Sequence, residues 1–187
     1  MTKTTYPLAE AERLAALVAA DLAPACDRID IAGSIRRRQE LVGDIEFVAI
    51  PRDEAGGLVG DQRENALWAH LNASDEDVFT KGDNPNGRYY QLALLDHPDL
   101  HVDLFLATPE SWGWIFLLRT GSAAFSMEIL TRWKRLHGIP RDRQGSVDGR
   151  LVDHHGQPVV TPDEETIFRL LHVPFMPPEQ RGAEVWS

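Results

Sequence analysis

AGSIRRRQELVGDIEFV, residues 32–48, is the stretch whose reading decides the fold class and the chemistry of this chain. It opens on a Gly33-Ser34 turn, runs through three consecutive arginines, and reaches Gly43 and the acidic-apolar alternation Asp44-Ile45-Glu46-Phe47. A glycine lets the backbone approach a triphosphate closely, and a serine adds a hydroxyl and an amide. Arg37 or one of its neighbours can pair with phosphate oxygens through charge-assisted hydrogen bonds. Residues two apart on a strand share a face, so Asp44 and Glu46 project together. Hard divalent cations such as Mg²⁺ take carboxylate, phosphate and water oxygens, which is the ligand set this pair begins.

Working outward, HVDLFL at residues 101–106 alternates in the same way, with His101 and Asp103 on one face and Val102 and Leu104 on the other. On a strand adjoining the first, Asp103 becomes a third carboxylate beside an attacking hydroxyl. Two ions about 4 Å apart are then expected, one activating the nucleophile and one supporting the leaving pyrophosphate.

The flanks supply the remaining elements. Leu14, Leu17, Val18 and Leu22 recur at helical steps over 8–22, with Glu10 and Glu12 near the start and Pro24 ending the run. Strands are expected at 28–32, 44–50 and 89–95, with a loop at 53–60, a helix at 62–71, and turns at Asp83-Asn84-Pro85-Asn86-Gly87 and Asp96-His97-Pro98-Asp99. Beyond Thr108-Pro109 the texture changes, and a second subdomain is expected. Two helices, 112–118 and 123–136, are split by Thr120-Gly121-Ser122, in which Ser122 can cap the second. Strand-like pieces surround Asp148-Gly149 and His155-Gly156, and a helix at 162–171 has an acidic first turn. The fold class expected is α+β.

Composition bounds the partners. A formal net charge of −10 and a pI near 5.1 are the wrong sign for gripping nucleic acid through the overall field. Any such contact needs a local patch, for which Lys81, Arg88 and the cluster Arg132, Lys134 and Arg135 are the candidates. Cys26 is the one cysteine, which excludes an intrachain disulfide and a Cys-based zinc site. The charged start MTKTTYPLAEAERL and the lack of a long apolar run predict a soluble, cytoplasmic chain with no signal peptide and no membrane partner. His154 and His155 are adjacent, hence expected on opposite sides of a strand, and read as surface residues. Trp112, Trp114 and Trp133 are expected to pack rather than to stack on bases.

With these residues in view the chain resembles the nucleotidyltransferase superfamily, and within it family X, the beta-like DNA polymerases. The likeness rests on residues 32–48, on VDLFL at 102–106, on RTGSAAF at 119–125 and on PPEQRG at 177–182. It implies a nucleotidyltransferase palm, a mixed sheet flanked by helices, over 1–108 with its N-terminal helix. A small α/β thumb subdomain follows over 109–187.

The resemblance maps triphosphate binding to Gly33, Ser34, Arg37 and Gly43, and catalysis and metal binding to Asp44, Glu46 and Asp103. It maps the nucleotide pocket of the thumb to Thr120, Gly121 and Ser122, and gives His101 a basic neighbour's place beside the third acid. The implied cofactors are two Mg²⁺ ions, replaceable by Mn²⁺. The implied partners are a nucleoside triphosphate and a DNA primer or gapped DNA, which Arg132, Lys134 and Arg135 would also touch, in DNA repair, genome replication or end extension. The sequence departs from the family where Leu118 and Arg119 replace the aromatics before Thr-Gly-Ser, where Ala123 and Ala124 replace polar residues after it, and where Glu46 stands for the usual aspartate. The reaction expected is transfer of dNMP to a primer 3′-hydroxyl with release of pyrophosphate. The alternatives are transfer to RNA, a protein or a small molecule, or a catalytically silent nucleotide-binding module.

Overall fold

The computed structural model describes residues 4–52, 66–73, 77–82, 84–94 and 96–182. Tyr6–Pro7 (β1) leads into helix α1, Leu8–Leu22, and a 3-10 turn at Ala23–Ala25 carries Pro24. The buried stripe of α1 is Ala11, Leu14, Ala15 and Leu22, whereas Leu17 is 60% exposed. This corrects the expected face. At 3.6 residues per turn Leu17 lies roughly 140° around the helix from the line through Ala11, Ala15 and Leu22. The small alanines, invisible to a reading that follows large side chains, form the surface packed into the core.

Strand β2 spans Cys26–Ile31, two residues earlier than expected, and Gly33-Ser34 opens a single helical turn, α2, Gly33–Arg36. Leu41–Val42 (β3) pairs antiparallel with β1, a two-residue contact too short to show in periodicity. Strand β4, Asp44–Pro51, is followed by helix α3, Ala66–Ala73; the expected loop at 53–60 and the first part of the expected 62–71 helix lie outside the described residues. β5 is Asp77–Lys81 and β6 is Tyr89–Leu94. Between them Asn84 makes an Asx turn, its side-chain oxygen accepting from the Asn86 N–H at 2.9 Å and its carbonyl from the Gly87 N–H at 2.8 Å. Asp83 and Leu95, named in the expected turn and strand, fall outside the described residues.

Strand β7, His97–Leu106, begins where a turn was expected at 96–99. The pairing shows how both signals arise. Ala93 faces His101 while the next residue, Leu94, faces His97, so Pro98 sits in an irregular stretch of the ladder. Proline has no N–H to donate and is tolerated in a strand at such a place.

The sheet order is β2-β4-β7-β6-β5, with β4 and β7 parallel and every other pair antiparallel. It is a mixed five-stranded sheet flanked by helices. On one face Ile45, Phe47, Val102 and Leu104 are fully buried and join Leu22 of α1 and Leu67 and Leu71 of α3 in one core. At about 25 cal/mol per Å² of apolar surface, side chains of this size contribute roughly 1.5–3 kcal/mol each.

The chain divides into two compact units, 1–106 and 107–187. In the second, α4 is Trp112–Thr120, α5 is Ala123–Leu136 and α6 is Glu164–Leu170. Ser122 caps α5, accepting from the Phe125 N–H at 3.1 Å, and Asp163 caps α6, accepting from the Thr166 N–H at 2.7 Å. Ser146–Val147 (β8) and Arg150–Leu151 (β9) form the hairpin read from Asp148-Gly149; both turn residues have positive φ, 53° and 71°. Around His155-Gly156 only an isolated bridge, Val152 to Pro158, forms. His154 and His155 lie in that exposed turn with ring centroids 3.8 Å apart, not on opposite sides of a strand, because the local pairing is too short to alternate them.

Trp112, Trp114 and Trp133 are all buried. Trp114 donates its indole N–H to Ser146 Oγ at 2.8 Å, and Trp133 donates to the Val152 carbonyl at 2.7 Å. Arg181 is fully buried, paired with both oxygens of Glu164 at 2.5 and 3.2 Å and surrounded by the rings of Phe125, Phe168 and Phe175.

Two outcomes are expected from this packing. Arg181→Met leaves a carboxylate buried without its partner and should lower the stability of the second unit by about 3–5 kcal/mol. Urea denaturation followed by tryptophan fluorescence reads this, and an unchanged midpoint would contradict it. In the first unit, burial raises the Cys26 thiol from 9.0 to about 11, with Arg52 opposing and Asp27 adding. Because the folded state resists ionising this thiol, its contribution is intact below pH 9.0 and is lost as the pH rises towards about 11. Stability of the parent should therefore fall more steeply with pH across that window than that of Cys26→Ala; equal slopes would refute the assignment.

Candidate active site

The parallel pairing of β4 with β7 sets the site. Glu46 lies directly opposite Asp103 and Asp44 opposite His101, so the three carboxylates and His101 share the face turned away from the helical core. Each of these residues is only partly buried, in alternation with the fully buried Ile45, Phe47, Val102 and Leu104. That alternation is what a half-buried strand does with acidic-apolar sequence.

Gly33 meets the acids from α2. Its φ is +62°, a left-handed conformation, and a Cβ there would collide with the carboxylate and stem of Glu46. The turn is held by the Ala32 N–H donating to the Glu46 carbonyl at 2.7 Å. Next to it Ser34 Oγ is buried and has no hydrogen-bond partner among the described residues. A buried hydroxyl without a partner costs about 1–3 kcal/mol.

The three arginines separate by environment. Arg38, at φ +57°, turns outward and pairs with Glu12 at 3.6 Å, both exposed. Arg37 is half-buried; desolvation lowers its pKa, and the charges of Glu46 and then Asp44 draw it back up. Its guanidinium thus lies in the field of both acids. Gly43 sits in the bend between β3 and β4, immediately before Asp44.

Asp103 has partners that the sequence did not announce. Tyr89 donates its hydroxyl to Asp103 Oδ1 at 2.7 Å, and Gln91 donates its amide to the same oxygen at 2.8 Å. Both come from β6, where Gln91 is the direct cross-strand neighbour of Asp103. The signal available was the alternation Tyr89-Tyr90-Gln91-Leu92, which places positions 89 and 91 on the face of Asp103 once β6 and β7 are paired.

Among the described residues no three His, Cys, Asp or Glu side chains close into a protein-only cation cage. Mg²⁺ generally keeps several waters and uses one or two carboxylates together with substrate phosphates, so its binding does not require such a cage.

In the second unit Thr120 is buried at the end of α4 and the Gly121 N–H donates to the Leu117 carbonyl at 3.0 Å. Ser122 Oγ caps α5 and donates to the Gly182 carbonyl at 2.8 Å, while the Ser122 N–H donates to the Arg181 carbonyl at 3.0 Å. The Thr-Gly-Ser turn and the Arg-Gly of residues 181–182 are therefore one structural assembly. Of the basic cluster on α5, Arg135 is exposed and Arg132 partly buried, whereas Lys134 holds the Arg141 carbonyl at 2.8 Å.

No protein-family model matches the chain, and no curated protein matches it in sequence.

Gly33→Ala should cost about 1–2 kcal/mol from the left-handed backbone alone and should also force Glu46 from its place. Urea denaturation measures the loss; a variant as stable as the parent would mean that Glu46 does not lie against this turn.

Proposed function

We propose that this chain is a divalent-cation-dependent nucleotidyltransferase with a nucleotidyltransferase palm in its first unit, a thumb-like second unit, and the family X reaction of adding dNMP to a primer 3′-hydroxyl. The observation that carries the reading is the register of β4 against β7, which sets Glu46 opposite Asp103 and Asp44 two residues away, beside the unpartnered Ser34 hydroxyl. A solvated acidic face would account for the carboxylates alone. It does not account for a left-handed glycine packed on one of them and a buried donor left open next to it.

In this reading Asp44, Glu46 and Asp103 hold two Mg²⁺ ions, for which Mn²⁺ substitutes, and such ions neutralise the triphosphate and ease loss of the acceptor proton. Ser34 donates to a phosphate oxygen, Arg37 pairs with phosphate charge, and Gly33 and Gly43 let the backbone come close. His101 lies opposite Asp44, on the side where an acceptor end would lie. By resemblance Thr120, Gly121 and Ser122 carry nucleotide contacts in the second unit, where the Ser122 hydroxyl and the Gly121 and Ser122 N–H groups also hold the turn together. The catalytic contribution of the chain is positioning and charge complementarity.

A second reading keeps the donor chemistry and changes the acceptor to RNA, a protein or a small molecule. The net charge of −10 and the engagement of Lys134 with a carbonyl favour it. Competition by gapped DNA at moderate salt separates the two, since only a DNA acceptor site is blocked by it.

Alanine at Asp44, Glu46 or Asp103 should lower pyrophosphate release from dNTP by about 10²-fold or more while leaving the urea midpoint near that of the parent. Parental turnover in any one of the three would refute the mechanism. Unchanged nucleotide binding with no pyrophosphate from the parent itself would leave a catalytically silent module instead.

A further inference from the structure

Asp103 is held by a small polar network whose convergence ordinary sheet packing does not require. Gln91 is buried, and a buried amide must find partners for both its ends. Thr80 Oγ1 donates to Gln91 Oε1 at 3.0 Å and to the Gln91 carbonyl at 3.1 Å, which turns the amide nitrogen towards Asp103. That nitrogen reaches Asp103 Oδ1 at 2.8 Å and the Tyr89 hydroxyl at 3.1 Å, and Tyr89 in turn donates to Oδ1 at 2.7 Å. The Tyr89 ring is stacked on Phe105, its cross-strand partner, with centroids 5.1 Å apart and planes 27° from parallel. Both donors thus come from rigid strand positions and meet on one oxygen. Among the described residues Asp103 Oδ2 accepts no hydrogen bond.

We propose that Tyr89 and Gln91 are positioning residues that fix the Asp103 carboxylate through Oδ1, so that Oδ2 alone is offered to a divalent cation. This rests on the cation site of the proposed function. A carboxylate free to rotate can chelate with both oxygens or turn away. One pinned by two donors binds through a single oxygen in a fixed direction, as Mg²⁺ with its strict octahedral demand requires. Sequence motifs name the acid and pass over its holders, because the holders lie on a different strand and become neighbours of Asp103 only through the β6/β7 pairing.

The test is Mn²⁺ binding, followed through the paramagnetic resonance of the free aqua ion, with and without α,β-imido-dATP, on the full chain and its variants. Tyr89→Phe deletes the hydroxyl and keeps the stacked ring; Gln91→Met keeps the length and removes the amide. Each should weaken Mn²⁺ binding by about 10-fold or more, the cost usual for loss of a ligand's hydrogen-bond partner. The double variant should lose less than the product of the two, since both act on one oxygen. Asp103→Asn provides the reference loss. If Asp103→Asn weakens binding while both single variants bind as the parent does, the positioning role is overturned and the cation site stands. If the parent shows no Mn²⁺ binding that Asp103→Asn removes, the cation site itself is overturned and the inference with it. Should Gln91→Met fail to fold, Tyr89→Phe decides, because it removes one oxygen and leaves the ring stack in place.

Discussion

The parallel ladder between β4 and β7 is the constraint on which the site depends. It is the sole parallel pairing among the described strands, and its register is fixed from the opposite face, where Ile45, Phe47, Val102 and Leu104 are buried without solvent exposure. A slip of one residue would turn the acids of one of the two strands into the apolar core and expose that strand's core residues. The hydrophobic effect therefore positions the carboxylates: several side chains worth roughly 1.5–3 kcal/mol each hold in place three acids that contribute no comparable burial. The arrangement of carboxylates on one face is specified by packing on the other.

Charge repulsion on that face is managed locally. Glu46 lies against the one-turn helix that starts at Gly33, and Arg37 from the same turn is placed in the field of Glu46 and Asp44. Asp103, on the neighbouring strand, is managed differently, by the neutral donors Tyr89 and Gln91. A cationic partner and neutral donors have different consequences. The guanidinium can be drawn to an arriving phosphate, while the hydrogen bonds to Asp103 fix geometry without adding a charge that would compete with a cation. The second unit keeps its own order through a buried Arg181–Glu164 pair, and the Thr-Gly-Ser turn is stitched to residues 181–182 by backbone and hydroxyl bonds.

Much of this was legible in the sequence because it depends on local alternation and capping. DIEFVAI and HVDLFL declare strands with an acidic face; Asp148-Gly149 declares a hairpin; Ser122 before an apolar-periodic run declares a helix start. What escaped depends on tertiary pairing. The stripe of α1 runs through alanines that carry little hydropathy, so Leu17 was counted to the wrong face. Pro98 signalled a turn, and β7 absorbed it by an irregular pairing with β6. Residue type alone left Arg37 level with its neighbours and the resemblance singled it out; the structure turns Arg38, at φ +57°, outward to Glu12. Tyr89 and Gln91 acquire meaning only when β6 is laid against β7. The buried pair of Arg181 with Glu164 joins residues far apart in sequence, which no spacing rule anticipates.

The most direct test is extension of a labelled primer on single-stranded, recessed and one-nucleotide-gapped DNA, with Mg²⁺ or Mn²⁺ and each dNTP or NTP, run beside Asp103→Ala. Metal-dependent addition of nucleotide to the 3′-end with pyrophosphate released, absent in the Asp103 variant, is the expected result. Extension that persists undiminished in Asp103→Ala, or a parent that releases no pyrophosphate with DNA, RNA, protein or small-molecule acceptors, would contradict it.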